Sequence, residues 1–128
     1  MSIVRLAATA VTPEIEFHPG EARLEIRGEC YPENPLVFFE PILSTLKRYF
    51  ANEKPARFAL TLRLNYVNSA ATKAFRNLYR LLDEVGHGGA KVNVRWEHHA
   101  EDDAMEELGL DLAADLHFLD VEQVALSA

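Results

Sequence analysis

The sequence predicts an α/β domain of two layers, in which helices cover one face of a mixed sheet of four or five strands. Three observations lead to this fold class. An antiparallel hairpin is followed by alternating helical and strand periodicities, which indicates parallel strands joined by helical crossovers. The inner strands alternate apolar and polar residues, so only one face of the sheet is expected to be covered. Helical connections between parallel strands that share one handedness, and that all advance in one direction across the sheet, place their helices on the same face.

The length and composition set limits on function. A chain of 128 residues predicts one domain over residues 1–128. Its net charge of −7 argues against binding to nucleic acid or to anionic membranes. No apolar run approaches the ~20 residues of a spanning helix, and no signal peptide is evident, so we expect a cytoplasmic protein without membrane insertion. The single cysteine, Cys30, excludes an intrachain disulfide and is expected to be a buried thiol.

The N-terminal third predicts a hairpin. Residues 1–11 suit either a flexible arm or an extra edge strand. The segments 14–17 and 23–29 alternate, and the turn His18-Pro19-Gly20-Glu21 joins them. The loop that follows holds two prolines and a glycine within residues 28–35, which makes it rigid.

A helix is predicted after this loop, with Asn34 as its cap and Pro35 in its first turn. Pro41 indicates that the helix either begins nearer Glu40 or is kinked. The segment 57–66 is then the clearest strand, and its alternation places Tyr66 on the apolar face.

The second half predicts two further helices and at least one strand. A helix runs from Ser69 towards Gly86, which is placed for a left-handed cap. The segment 91–97 alternates as a strand, and residues 100–108 predict a third helix. Residues 117–121 suit either a short strand or part of a final helix. The polar face of the sheet is either solvated or a partner surface, and it carries Arg23, Glu25, Arg27, Thr61, Arg63, Asn65, Arg95 and Glu97.

No catalytic or metal-binding constellation is evident, so neither an enzyme nor a cofactor is expected. None of the four serines, Ser2, Ser44, Ser69 and Ser127, lies in a nucleophile elbow. Neighbours on a strand point to opposite faces, so His98 and His99 do not readily share a metal.

Ser69 allows two interpretations, because it follows the best strand and opens the second helix. As a helix cap only, its oxygen would accept the amide hydrogen of Ala71 or Thr72, and the chain would be a constitutive protein-interaction module or a homodimer. As a phosphorylation site, it would place the phosphoryl group at free amides and the positive helix end, with Lys73 as a counter-charge.

Several segments resemble the SiaC-type regulatory phosphoproteins, bacterial proteins tied to biofilm control. The resemblance spans most of the chain and is carried mainly by two pieces, Gly28-Glu29-Cys30-Tyr31-Pro32-Glu33-Asn34 and Leu64-Asn65-Tyr66-Val67-Asn68-Ser69. The segments Thr12-Pro13-Glu14-Ile15 and Val92-Asn93-Val94-Arg95-Trp96 also match.

This resemblance implies a STAS-like fold, similar to that of anti-sigma-factor antagonists, and a partner switch. It implies that a Ser/Thr kinase of the anti-sigma type modifies Ser69, that a PP2C-like phosphatase reverses the modification, and that the bare form activates a diguanylate cyclase. The family has Thr-Ser-Ser where this chain has Ser69-Ala70-Ala71, which leaves Ser69 as the acceptor and Thr72 as the next hydroxyl. The implied partner-binding residues are Tyr31, Glu33, Asn34, Tyr66, Asn68 and Lys73.

Overall fold

The computed structural model describes residues 2–127. Within that range, six strands and three helices follow one another along the chain. Their order is β1 (Val4–Leu6), β2 (Glu14–His18), β3 (Arg23–Cys30), α1 (Pro35–Glu53), β4 (Arg57–Val67), α2 (Ser69–His87), β5 (Lys91–His99), α3 (Asp103–Ala113) and β6 (Leu119–Leu126).

The six strands form one sheet whose spatial order equals their order in the chain. The pairs β1–β2 and β2–β3 are antiparallel, and the pairs β3–β4, β4–β5 and β5–β6 are parallel. The predicted mixed sheet is confirmed, but it has six strands instead of four or five. The additional strands are the two edges, because residues 4–6 form a strand rather than a free arm and residues 119–126 form a strand rather than a helix.

The helices cover one face of this sheet, and the core lies between the two layers. Alternate residues of β4 are buried at Phe58, Leu60, Leu62 and Leu64, and Trp96 is buried on β5. The indole Nε1 of Trp96 donates a hydrogen bond to the carbonyl of Met105 in α3 across 2.8 Å. Burial of these side chains is the main stabilising contribution to the two-layer arrangement.

The opposite face of the sheet is charged, as predicted, and five of its arginines are paired with carboxylates. Arg27 contacts the carboxylates of Glu14, Glu16 and Glu25, which belong to β2 and to its own strand. A second group joins β4, β5 and β6 through Arg63, Glu97, Arg95 and Glu122.

The helix boundaries differ from the sequence prediction at several points. The cap of α1 is Asn34, as predicted, and α1 continues through the exposed Pro41 to Glu53 because its apolar face packs against the sheet. The helix α3 begins at Asp103, three residues later than predicted, because Asp102 accepts the amide hydrogen of Met105 and caps it.

The predicted left-handed cap at Gly86 is wrong. The helix α2 continues to His87, and the positive φ of 114° belongs to Gly89. Gly86 is required for another reason, since a Cβ there would collide with the backbone of Phe118. The glycine therefore permits close approach of α2 to the segment before β6.

Candidate functional site

The site is built where β3 and β4 end, since parallel neighbours present their carboxyl ends at the same edge of the sheet. The register between the two strands shifts after Gly28, so that Glu29 lies opposite Tyr66 and Cys30 lies opposite Val67. Gly28 has a φ of 115°, which favours glycine. The shift ends the simple alternation of β4, and the prediction that Tyr66 lies on the apolar face is therefore wrong.

Tyr66 is instead 53% exposed, and it contacts the 38% exposed Tyr31. Their ring centroids are 5.5 Å apart, with planes at 71°, in an edge-to-face arrangement. The amide of Tyr31 also donates to the carbonyl of Val11 across 2.8 Å, and Val11 is exposed. We call Val11, Tyr31 and Tyr66 the tyrosine patch. Val11 was missed by sequence reasoning, because it lies in a segment without periodicity.

The turn between β4 and α2 is held by Asn68. Its Oδ1 accepts the amide hydrogen of Ala71 across 2.8 Å, and its own amide donates to the carbonyl of Cys30 across 3.3 Å. Its carbonyl accepts from both the amide and the hydroxyl of Thr72, at 3.0 and 3.2 Å. Asn68 therefore caps α2 and ties it to the end of β3.

Ser69 occupies the first position of α2, so the interpretation of Ser69 as the helix cap is wrong. Ser69 is exposed, and within residues 2–127 its hydroxyl has no hydrogen-bond partner. Asn68, which precedes it, is an equally strong capping residue, and β4 runs one residue further than predicted, to Val67, so that Asn68 alone separates β4 from α2. The hydroxyl of Thr72, by contrast, is half-buried and engaged with Asn68.

The remaining predicted site residues lie at the same end of the molecule. Glu33 and Asn34 are exposed at the start of α1, where Asn34 accepts the amide hydrogen of Val37 across 3.4 Å. Phe39 of α1 packs against Phe75 of α2 with ring centroids 5.2 Å apart, which joins the first halves of the two helices. Lys73 is exposed one helical turn after Ser69.

Cys30 lies beneath this turn and is fully buried. Burial raises the pKa of its thiol from 9.0 to about 12. The thiol therefore stays protonated near neutral pH, and it does not provide a nucleophile at the site.

The two histidines of β5 diverge as predicted. His98 is buried and its Nδ1 lies 2.8 Å from the carbonyl of His99, whereas His99 is exposed. No group of three or more potential metal ligands is present among residues 2–127. Over the same range, no helix combines the length and apolar character that crossing a bilayer requires.

On the charged face of the sheet, Glu97 carries a carboxyl that is both buried and ion-paired. Burial opposes its ionisation, but hydrogen bonds from Arg95 and Arg63 outweigh burial and lower the pKa of the Glu97 carboxyl. Glu97 is largely buried between the two guanidinium groups. This arrangement links β4 to β5 and is structural.

An exposed, unbonded hydroxyl at a helix start, beside exposed aromatic side chains on a rigid turn, is typical of a surface that other proteins recognise and modify. The fold and this surface therefore have the features of a small domain that binds other proteins. The chain belongs to the SiaC family of regulatory phosphoproteins, whose family description matches residues 6–126.

Sequence and structure comparisons agree with this assignment. An uncharacterized protein of Pseudomonas aeruginosa (strain UCBPP-PA14) is 31% identical over 119 residues, which is 92% of this chain and 93% of that protein. The structure of SiaC of Pseudomonas aeruginosa is 28% identical and covers 100% of both chains, with a TM-score of 0.85. The structure of apo-SiaC from the same organism is 30% identical, with a TM-score of 0.87, over 98% of this chain and 100% of that chain.

One further structure concerns an assembly. It contains the diguanylate cyclase SiaD in complex with its activator SiaC from Pseudomonas aeruginosa. The match is 28% identical, with a TM-score of 0.85, and covers 94% of this chain and 98% of that chain.

Proposed function

We propose that this chain is a non-enzymatic signalling regulator that exchanges protein partners through reversible phosphorylation of Ser69. In the bare state it binds and activates a diguanylate cyclase in the cytoplasm and so controls biofilm formation. A Ser/Thr kinase of the anti-sigma type adds the phosphoryl group, and a PP2C-like phosphatase removes it. The observation that carries this proposal is the free, exposed hydroxyl of Ser69 on a turn that Asn68 fixes.

The geometry supports Ser69 as acceptor over the neighbouring hydroxyl. The Thr72 hydroxyl donates to the carbonyl of Asn68 and lies within the helix, so a kinase would have to unwind the first turn to reach it. Ser69 needs no such rearrangement, because Asn68 and not Ser69 supplies the cap. Capping of α2 therefore does not depend on the serine that is modified.

A phosphoryl group on Ser69 would change the surface strongly. It adds about 1.5 to 2 negative charges at neutral pH, next to amides of the first helical turn that lack partners within the helix. Tyr31 and Tyr66 present the exposed apolar area expected of a partner-binding surface. Charge placed at the edge of such a surface would remove a partner that binds the bare form.

The acceptor is tested by incubating the chain with its kinase and ATP and locating the phosphate by mass spectrometry. We expect phosphate on Ser69, none in Ser69→Ala, and unchanged labelling in Thr72→Val. Labelling of Ser69→Ala to the wild-type level would exclude Ser69 as the acceptor.

The switch is tested with the cyclase, by calorimetry and by product formation. Phosphorylated chain and Ser69→Asp should bind at least about tenfold more weakly than bare chain, equivalent to about 1.4 kcal/mol. Ser69→Asn has nearly the same shape as Ser69→Asp without its charge, and it should keep most of the affinity. Equal affinity of bare and phosphorylated chain would refute the switch.

A further inference from the structure

The first part of α2 is basic although the protein as a whole is acidic. Residues 69–82 contain Lys73, Arg76 and Arg80 but no aspartate or glutamate, in a chain of net charge −7. The spacings of three and four residues place these cations on one face of the helix, and Ser69 heads the same face. We call Lys73, Arg76 and Arg80 the basic stripe.

The basic stripe differs from the other large group of cations in the molecule. On the sheet face, five arginines have a carboxylate within 4.0 Å, and these are Arg5, Arg23, Arg27, Arg63 and Arg95. No member of the stripe forms an ion pair with any residue in the range 2–127. Its charges are therefore available to a partner.

Two acidic residues lie near the basic stripe but form no ion pair with it. Asp111 of α3 and Asp115, which follows that helix, share a small cleft of about 70 Å³ with Arg76 and Arg80, but no nitrogen–oxygen distance within 4.0 Å joins them. At longer distances in water, such charges interact only weakly. They leave room for a carboxylate from outside to approach the two guanidinium groups.

The stability of α2 does not account for these cations. A helix dipole favours acidic residues in the first turn and basic residues in the last. The helix α3 follows this rule with Asp103 and Glu106, whereas α2 has no acidic residue in its first turn and has Lys73 close to it. The helix dipole therefore does not account for Lys73 near the start of α2.

We propose that the basic stripe of α2 is the docking surface for an acidic segment of the partner protein. Charge complementarity identifies this occupant, since three unpaired cations in a row match carboxylates presented along a helix or an extended chain. A nucleic acid or an anionic membrane would meet the net charge of −7 of the whole protein, which opposes both.

This inference rests on the proposed function and gives the switch a mechanism. Ser69 lies four residues before Lys73, so a phosphoryl group on Ser69 reaches the head of the stripe along the helix face. It would compete with the partner's carboxylates for the same cations and would repel them. Release of the partner then results from charge at Ser69 and needs no change of fold.

The first test does not depend on the cyclase. The isotope-labelled chain is titrated with an oligoglutamate peptide and followed by NMR, with the Arg76→Glu/Arg80→Glu variant and the matched control Arg48→Glu, an exposed arginine of α1. We expect amide shifts over residues 73–80 that salt weakens, that the double variant loses, and that Arg48→Glu keeps. Shifts centred elsewhere, no shifts, or tighter binding to an oligonucleotide or to anionic vesicles would overturn the inference.

The second test uses the diguanylate cyclase. The double variant should bind at least about tenfold more weakly than wild type and show a flatter salt dependence, while Arg48→Glu behaves as wild type. If wild type binds and the double variant binds equally well at every salt concentration, the stripe is refuted and the proposed function stands. If wild type does not bind the cyclase, the proposed function fails, and the peptide titration still decides the stripe.

Discussion

The amide of Ala71 donates to Oδ1 of Asn68 across 2.8 Å, and this bond separates the cap of α2 from the exposed serine that follows it. Helix capping therefore depends on Asn68, whereas the proposed phosphorylation falls on its neighbour Ser69. Under the proposed function, a substitution at Ser69 changes signalling without loosening the helix, whereas a substitution at Asn68 loosens the turn itself.

We predict stability effects of different size for substitutions at these two residues. Asn68→Ala removes the cap and should lower the free energy of unfolding by about 1 kcal/mol. Ser69→Ala should change it by no more than about 0.5 kcal/mol, as for an ordinary surface substitution. Urea denaturation of the two variants and wild type measures both values. A larger loss for Ser69→Ala than for Asn68→Ala would contradict the assignment of the cap.

The tyrosine patch should be energetically coupled. Tyr31 and Tyr66 meet edge to face at 5.5 Å, and aromatic pairs contribute about 0.5 to 1.5 kcal/mol beyond their buried area. A double-mutant cycle of Tyr31→Ala and Tyr66→Ala, measured by the free energy of unfolding, should give a coupling near the lower value because both rings are partly exposed. Strict additivity would mean that the rings do not interact in solution.

Gly109 should not tolerate a side chain. A Cβ at this position of α3 would lie 2.5 Å from Cδ1 of Trp96 and 2.6 Å from its Nε1. Gly109→Ala should therefore cost about 1 to 3 kcal/mol and change the fluorescence of the single tryptophan. Gly20→Ala is the control, since a Cβ at Gly20 meets nothing within 4 Å. A fully stable Gly109→Ala would show that α3 packs differently on the sheet.

The thiol of Cys30 should be unreactive in the folded protein and sensitive to alkaline pH. Its pKa is about 12 when folded and 9.0 as a free group, so its contribution to stability is complete below pH 9 and is lost as the pH rises towards 12. An aromatic disulfide reagent at pH 8 should label Cys30 only at the rate of unfolding. Above pH 9, wild type should lose stability more steeply than Cys30→Ala. Rapid labelling of the folded protein would contradict the burial of Cys30.

The sequence predicted the two layers, the mixed sheet and the start of α1, because these follow from periodicity and from strong capping residues. It predicted the position of Tyr66 incorrectly. The register between β3 and β4 shifts after Gly28, and this shift depends on how the two strands pair, which the sequence of one strand does not show. The cap of α2 was misplaced by one residue, because Asn68 and Ser69 have similar capping propensity.

The edges of the sheet were left open between two alternatives and the basic stripe was missed, for different reasons. The strand β1 has only three residues, Val4 to Leu6, and an alternation this short does not distinguish a strand from a free arm. The lack of ion pairs at Lys73, Arg76 and Arg80 depends on where α3 lies relative to α2, which a helical pattern does not reveal. Assignment of Val11 to the tyrosine patch likewise required the backbone hydrogen bond from Tyr31 to Val11.

The strands lie in the sheet in the same order as in the chain. This order affects how the protein folds during its synthesis. Each new strand can pair with the strand that left the ribosome just before it, and no later segment has to be inserted between two earlier ones. Contacts between chain neighbours reduce the loop-closure entropy that must be overcome at each step. We expect the sheet to assemble during synthesis from β1 towards β6, with the Asn68 turn completed before α3 emerges.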